Sequence, residues 1–281
     1  MSALRKTALV EGEFAFTHGD FRMIADTLYA ASGIALPASK ATLVYSRLGK
    51  RLRALGLNSF SEYCAILDGP TGEVERSALL SALTTNVTRF FREPHHFDAL
   101  RQQFRHHLGP RAASGGRIRL WSAGCSLGHE PYSIAMTVLA ELPNAADLDV
   151  RILATDIDPQ VIETARRATY SQDDLKPVPE DMASRTINRA EGQPALSDDV
   201  RRLVRFGVLN LHEAWPMKGQ FDVIFCRNVA IYFDDTTQKR LWDRFAQALT
   251  PEGRLYIGHS ERAESAHLQP DGLTIYRRRP G

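Results

Sequence analysis

Residues 117–141 read RIRLWSAGCSLGHEPYSIAMTVLAE, and this stretch decides the fold. It begins with a strand-like run, RIRLWSA, and ends in a pattern typical of a helix. Small residues join the two, and Gly124 and Gly128 would let the main chain approach a ligand closely. Taken alone the turn is a weak motif, because it lacks the GxGxxG spacing and many such turns only connect a strand to a helix.

The same alternation of strand and helix continues to the C-terminus. Further strand-like runs are DVRILATDI, FDVIFCRNV, GRLYIGH and LTIYRRR, and further helix-like runs are PQVIETARRA and TTQKRLWDRFAQAL. This alternation predicts an α/β fold, a doubly wound domain with a mostly parallel sheet.

The region before residue 83 carries helical patterns. Phe21, Ile24 and Leu28 recur at helical spacing and Gly33 is a plausible stop, while Ser59 marks the start of a later helix. A helix between these two is predicted to bury one apolar stripe, formed by Leu43, Leu48, Leu52 and Leu55.

We therefore predict two domains, with residues 1–82 forming an N-terminal all-helical domain and residues 83–281 the α/β domain. The second domain includes an interdomain segment, residues 83–97. It also includes a polar stretch at about residues 170–206, which is too long for a simple loop and predicts a small inserted β subdomain.

Composition excludes several classes of protein. Of the 281 residues 43% are hydrophobic and 24% charged, as in ordinary globular proteins. No apolar run approaches the roughly 20 residues of a membrane span, so no membrane insertion is expected. The three cysteines lack disulfide or zinc spacing, and the paired histidines do not match metal-ligand spacing. These features predict a cytoplasmic protein without a metal site.

One window of the helical region is strongly basic. No acidic residue occurs from Thr27 to Ser61, whereas five cationic residues do. Helical spacing puts Arg47, Lys50 and Arg51 on one side of a helix, which predicts an acidic partner. A solvated surface without a partner is the alternative, and the low aromatic content of the window argues against nucleic acid.

Polar residues stand where the predicted strands end, the edge at which open α/β sheets bind ligands. Asp156 can accept hydrogen bonds from both hydroxyls of a ribose, although a structural turn is the alternative. Asp158 precedes Pro159 and is predicted to cap a helix. Asn210 could bind an adenine edge, and the polar pair Arg227-Asn228 follows a buried strand.

Several motifs together resemble one family. TTNVTRFFREPHHF, WSAGCSLGHEPYSIAM, ATDID, VLNL, FDVIFCRNVAIYFD and GHSE occur in the order found in the CheR family of chemotaxis protein methyltransferases. The stretch GIALPASKATLVYSRLGKRLRALGLNSFSEY resembles the helical domain of that family. The resemblance implies a class I, Rossmann-like domain that takes a methyl group from S-adenosylmethionine and leaves S-adenosylhomocysteine.

The resemblance also implies an acceptor and a partner. In that family the methyl group passes to glutamate side chains of bacterial chemoreceptors, so the cytoplasmic helices of methyl-accepting receptors would be the partner. The basic face of Arg47, Lys50 and Arg51 would dock them. Apart from this contact we expect a monomer.

Site residues follow from the matched motifs. Arg92 and Tyr232 would lie near the transferred methyl group as the catalytic positions. The expected cofactor-binding residues are Asn86, Thr88, Arg92, Ala123, Gly124, Glu130, Asp156, Asn210, Leu211, Arg227 and Asn228. The chain departs from the usual family pattern in having His129 and Ala230.

Two other functions stay open at this point. One is a catalytically silent adaptor that binds S-adenosylmethionine without transferring methyl. The other is a class I methyltransferase for another substrate, although residues 227–230 lack the Pro-Pro-aromatic signature of many base-modifying enzymes.

Overall fold

A seven-stranded sheet forms the framework of the C-terminal region in the computed structural model, which describes residues 9–70, 72–189 and 193–280. The first eight residues of the predicted helical domain and residues 190–192 of the predicted insertion lie outside the described residues. Nine strands are described, of which β3 and β4 form a separate two-stranded sheet. They are β1 Ile118–Ala123, β2 Val150–Asp156, β3 Ile187–Asn188, β4 Ala195–Leu196, β5 Val204–Val208, β6 Phe221–Cys226, β7 Leu249–Ile257, β8 Leu268–Gly272 and β9 Ile275–Arg278.

Twelve α-helices are described in the same ranges. They are α1 His18–Ser32, α2 Ala41–Leu55, α3 Phe60–Asp68, α4 Gly72–Leu83, α5 Pro94–Gln103, α6 Gly109–Ala113, α7 His129–Glu141, α8 Pro159–Arg167, α9 Gln172–Leu175, α10 Glu180–Thr186, α11 Asp198–Leu203 and α12 Asp235–Ala248. Short 3-10 helices occur at Ala38–Lys40, Ala145–Asp147 and Ala230–Tyr232, and a π-helical turn at Phe104–Leu108 joins α5 to α6. None of the described helices is long and apolar enough to cross a membrane.

The order of the strands confirms the predicted α/β class. The main sheet runs β5-β2-β1-β6-β7-β9-β8; its first five strands are parallel, and β9 is antiparallel to both of its neighbours. The chain moves from β1 outward to β2 and β5, then crosses to β6 on the other side. This reversal between β1 and β6 is the point at which such sheets bind ligands.

Burial explains why the strands were visible in the sequence. All six residues of β6 are buried, as are five of the six in β1, because helices cover both faces of a parallel sheet. β8 was missed because its sequence, LQPDG, has no apolar alternation. It lies at the edge of the sheet, where Pro270 is tolerated.

The chain divides into two units, residues 9–85 with Tyr232–Asp234 and residues 86–231 with 235–280. In the first unit Thr17 caps the start of α1, and its side chain and that of Asp20 form a reciprocal capping box. α1 ends at Gly33 with a left-handed φ of 75°, which confirms the predicted stop.

The predicted apolar stripe of α2 is partly wrong. Leu48 and Leu52 are buried, but Leu43 and Leu55 are each 37% exposed, and the buried face is completed by Ala41 and Val44. Leu43 stands five residues before Leu48, which is about 140° around a helix, and Leu55 is the last helical residue.

The polar stretch after residue 170, which is predicted to form a small inserted β subdomain, is mostly helical in its described residues. It consists of α9, α10, α11 and the antiparallel pair β3 and β4. Its apolar side chains, including Val178, Met182 and Leu196, are buried in the core of the second unit. The main sheet begins again at Val204, because β5 pairs with β2.

Candidate functional site

Four polypeptide segments of the second unit carry seven of the eleven predicted cofactor residues. They are residues 86–93, the turn 124–128 after β1, the end of β2, and residues 227–230 after β6. Among the described residues six non-glycines have positive φ, and four of them, Phe91, Glu93, Ser126 and Asn228, lie in these segments. Left-handed backbone at non-glycine positions is costly, and such residues cluster where a binding site imposes the conformation.

Asp156 ends β2 and is almost completely buried. One carboxylate oxygen accepts the amide of Ser126 at 2.8 Å, and the other accepts the amide of Asp158 at 3.1 Å. Burial raises the pKa of Asp156, while the amides of Asp158 and Ser126 act in the opposite direction. Each carboxylate oxygen can accept a further hydrogen bond, so this geometry leaves capacity for two hydroxyl donors.

The turn after β1 is tightly packed. Gly124 has φ of 82°, and a Cβ there would lie 2.3 Å from a side-chain carbon of Val229. Gly128 also has positive φ, and a Cβ would lie 2.8 Å from the hydroxyl of Tyr170. That hydroxyl donates to the carbonyl of Leu127 at 2.8 Å. Glycine is therefore required at both predicted positions.

Glu130 and Arg227 form a buried ion pair beside this turn. Arg227 Nε donates to one carboxylate oxygen of Glu130 at 2.6 Å, and the hydroxyl of Ser122 donates to the other at 2.7 Å. The guanidinium also lies over the rings of Phe97 and Phe225 at 5.4 and 5.6 Å from their centroids. The pair connects the carboxyl ends of β1 and β6 across the switch point of the sheet.

Residues 86–93 are held against this pair. Arg227 donates to the main-chain carbonyl of Arg92, and the amide of Phe91 donates to the hydroxyl of Ser133 at 3.0 Å. The hydroxyl of Ser126 lies 3.3 Å from the side-chain oxygen of Asn86. The structure thus brings Asn86 to the same turn that contacts Asp156.

The side chains of Thr88 and Arg92 are half-buried in this segment. The guanidinium of Arg92 donates to the carbonyl of Val87 at 3.4 Å. Glu93, the next residue, lies 2.8 Å from His259 Nδ1 and 3.6 Å from Arg227 Nη1. Burial alone would raise the pKa of Glu93, but hydrogen bonds from His259 and the charge of Arg227 lower it.

Asn210 and Leu211 follow the end of β5 by two and three residues. The amide of Leu209 donates to the carbonyl of Asp156 at 2.9 Å, which places this loop beside the end of β2. The Asn210 side chain organises a turn, accepting the amide of His212 at 3.0 Å and donating to Glu213 at 3.0 Å. Arg244 donates to the carbonyl of buried Leu211 at 2.6 Å.

Asp158 caps α8, as the sequence predicted. Its side chain accepts the amide of Gln160 at 2.9 Å, and Pro159 is the first helical residue. Asp156 is therefore the acidic side chain left for a ligand at the end of β2. The carboxylate of Asp156 and the side-chain oxygen of Asn86 are acceptors for hydroxyl and amine donors, and a carboxylate repels a phosphate group, so these residues fit S-adenosylmethionine better than a phosphate.

The remaining predicted residues belong to the first unit. Tyr232 accepts the amide of Ala35 at its carbonyl, at 2.9 Å. Arg47 donates to the carbonyls of Leu83 and Thr84 at 2.8 and 2.9 Å.

Arg51 is also engaged within the first unit, where it forms a two-pronged ion pair with Glu75 at 2.8 and 2.6 Å. Lys50 between them is exposed. Two of the three cations on the predicted docking face therefore also hold α2 against α4 and the residues that follow it.

Sequence reasoning missed Glu261 as a site residue. It follows β7, and its carboxylate accepts the amides of Asn228, Val229 and Ala230. GHSE was quoted only as part of the resemblance, although the rule that ligands bind at strand ends applies to β7 as well. Arg244 carries no comparable signal, because it reaches Leu211 from a helix 33 residues later.

Comparison with known families gives two matches that cover most of the chain. Residues 86–273 match the family model described as CheR methyltransferase, SAM binding domain. Residues 19–84 match the model described as CheR methyltransferase, all-alpha domain.

Three relatives are similar over nearly their full length. A probable chemotaxis protein methyltransferase of Rhizobium etli is 51% identical, covering 89% of this chain and 96% of the relative. Chemotaxis protein methyltransferase 2 of Pseudomonas aeruginosa is 44% identical, covering 94% of each chain. The chemotaxis protein methyltransferase of Escherichia coli is 40% identical, covering 93% of this chain and 91% of the relative.

Proposed function

The chain belongs to the CheR methyltransferase family, and on that premise we propose that it transfers methyl groups from S-adenosylmethionine to glutamate side chains of bacterial chemoreceptors. The observation that carries the proposal is the match of residues 86–273 to the SAM binding domain, which contains every predicted cofactor residue. The names of the relatives support a role in chemotaxis. We place this activity in the cytoplasm, where the receptor helices would be reached.

The proposed reaction needs no proton transfer. A glutamate carboxylate has an ordinary pKa of about 4.3 and is already an ionised nucleophile at neutral pH. When bound, S-adenosylmethionine supplies a methyl group on a positively charged sulfur. One carboxylate oxygen forms a bond to the methyl carbon while the carbon–sulfur bond breaks, and its electron pair stays on sulfur. The products are a neutral ester and a neutral thioether.

The protein must therefore supply alignment and exclusion of water. Attack requires the carboxylate oxygen, methyl carbon and sulfur to lie roughly in line, with the reacting atoms about 3 Å apart. We assign Arg92 and Tyr232 as positioning groups at the methyl end. A permanent, tight ion pair between Arg92 and the acceptor would stabilise the ground state, since charge is lost in the reaction.

The other predicted residues receive distinct roles in this proposal. Asp156 would accept the ribose hydroxyls, and the turn at Ala123 and Gly124 would let the main chain approach the cofactor. Asn210 and Leu211 would flank the adenine. The other predicted residues would bind the amino acid part of S-adenosylmethionine or hold the residues that do. They are Asn86, Thr88, Arg92, Glu130, Arg227 and Asn228.

Docking is proposed for the basic face of α2. Lys50 is exposed there, and no acidic residue occurs nearby in the sequence from Thr27 to Ser61. Arg47 and Arg51 contribute positive charge to that face while holding α4 in place. The docked partner would be an acidic receptor helix.

A methyl-transfer assay distinguishes the proposed function from the two alternatives, a silent adaptor and a methyltransferase for another substrate. The protein would be incubated with S-adenosylmethionine carrying a tritiated methyl group and with receptor-enriched membranes. We expect label in the receptor fraction that mild base releases, as a methyl ester requires. Base-stable label, or label in nucleic acid only, would establish a methyltransferase for another substrate. Cofactor binding without transfer to any receptor would establish a silent adaptor.

A further inference from the structure

Four main-chain amides converge on the carboxylate of Glu261. One oxygen accepts Val229 at 3.0 Å and Ala230 at 2.8 Å, and the other accepts Asn228 at 2.9 Å and Gly258 at 2.6 Å. The side chain belongs to the loop after β7, whereas three of the amides belong to the loop after β6. Glu261 thus fastens one candidate ligand loop to the neighbouring strand end.

The loop that it fastens has a conformation that the sequence alone would not favour. Asn228 has φ of 58°, in the left-handed region, and turns the chain directly after the buried strand β6. Successive amides pointing to one side form a concave site for an anion. Without this acceptor the buried amides of Ala230 and Gly258 would be unpaired.

The carboxylate is closely packed against Gly258. A Cβ at Gly258 would lie 2.8 Å from a carboxylate oxygen of Glu261 and 2.8 Å from the side-chain nitrogen of Asn228. Burial raises the pKa of Glu261, and the four amides oppose that shift. Glycine at 258 and glutamate at 261 are therefore two parts of one arrangement.

We propose that Glu261 is a positioning residue for the methyltransferase, one that presets Asn228, Val229 and Ala230 in the conformation that binds S-adenosylmethionine. This inference rests on the proposed function, because Asn228 is assigned there to the cofactor. Glu261 acts through the loop and not by touching the cofactor. When the loop is already ordered in the free protein, ligand binding carries no free-energy cost for ordering it, and the affinity is higher.

The test is the affinity of the full chain for S-adenosylhomocysteine, measured by titration calorimetry well below the melting temperature. Glu261→Gln keeps the shape of the side chain but replaces one acceptor oxygen by a donor group that faces amides. We expect at least about tenfold weaker binding and a matching fall in kcat/KM, while circular dichroism shows a folded protein. The matched control is Glu264→Gln, an exposed glutamate three residues later, which should bind as the wild type does.

A second variant reaches the same arrangement from the glycine side. Gly258→Ala leaves Glu261 unchanged but pushes on its carboxylate, and we expect weaker binding of S-adenosylhomocysteine by the folded protein. A double-mutant cycle between Glu261→Gln and Asn228→Ala then asks whether Glu261 acts through the loop. Losses smaller than additive would support this, because either change alone already disrupts the same loop.

The outcomes separate the inference from the proposed function. A wild-type protein that binds no S-adenosylhomocysteine would overturn both. If the wild type binds and folded Glu261→Gln binds equally well, with only a lower melting temperature, then Glu261 is structural and the inference is wrong. Fully additive losses in the cycle would also overturn it.

Discussion

Arg227 illustrates how a single side chain at the end of a strand serves both packing and the site. It is 7% exposed, pairs with Glu130 and donates to the carbonyl of Arg92. A lysine could keep the charge but not the flat guanidinium that lies over two phenylalanine rings. The residues that we assign to the cofactor are thus themselves held by buried polar contacts.

Arg227→Met should destabilise the protein strongly. It leaves the buried carboxylate of Glu130 with the hydroxyl of Ser122 but no cation, and breaking one partner of such a pair costs about 3–5 kcal/mol. The free energy of unfolding in urea measures this loss. Arg227→Met combined with Glu130→Gln should be more stable than Arg227→Met alone, because the unpaired charge is gone. Equal stability of the two variants would show that the pair carries no such cost.

At the scale of secondary-structure elements, the buried strands and two helix ends could be predicted, whereas the edge strand β8 and the loops could not. Strands β1, β2 and β6 were visible as apolar runs because both faces of the sheet are covered. Gly33 and Asp158 were predictable because helix ends need particular residues.

The left-handed conformation of Asn228 and the approach of Glu261 depend on contacts 31 to 33 residues apart. No local pattern encodes such contacts. The error in the stripe of α2 has a different cause, because Leu43 stands about 140° around the helix from Leu48 and so lies off the buried face, where it is 37% exposed.

The basic face of α2 gives a prediction for docking. Lys50→Glu should lower the rate of receptor methylation about three- to fivefold, mainly through KM and most clearly at low salt, because exposed ion pairs are worth up to about 1 kcal/mol. Lys50 is the suitable position, since Arg47 and Arg51 hold contacts within the first unit. Rates would be measured with receptor membranes.

The matched control for that experiment is Lys218→Glu, which changes an exposed lysine of the second unit. Both variants should bind S-adenosylhomocysteine with wild-type affinity. Docking on this face would be refuted if Lys50→Glu and Lys218→Glu methylated receptors at the same rate at low salt.

At the scale of the whole molecule, stability depends on a histidine that folding keeps neutral. His96 is fully buried, and burial together with the charge of Arg227 lowers its pKa to about 3. His95 also lowers the pKa of His96, while the charge of Glu93 raises it. Nδ1 of His96 lies 3.3 Å from Arg227 Nη1, and Nε2 of His96 lies 2.8 Å from the hydroxyl of Thr274. Both contacts suit a neutral ring.

The sign of the pH effect follows from that lowered pKa. The unfolded chain has the ordinary histidine pKa of about 6.5, so the contribution of His96 to stability is complete above that pH and is lost as the pH falls toward 3. The loss amounts to at most about 1.4 kcal/mol per pH unit. Urea unfolding at a series of pH values should show a steeper acid loss for the wild type than for His96→Gln. Exposed His107→Gln should follow the wild type, and identical slopes for all three proteins would refute the prediction.

The central claim, methyl transfer to receptor glutamates, is tested most directly by locating the transferred group. The full chain would be incubated with a receptor cytoplasmic fragment and S-adenosylmethionine carrying a deuterated methyl group, and receptor peptides would be sequenced by mass spectrometry. The account predicts the label as an ester on glutamate side chains, removable by mild base and strongly reduced with Asp156→Ala. Label on any other residue type, or an unlabelled receptor despite measurable cofactor binding, would contradict it.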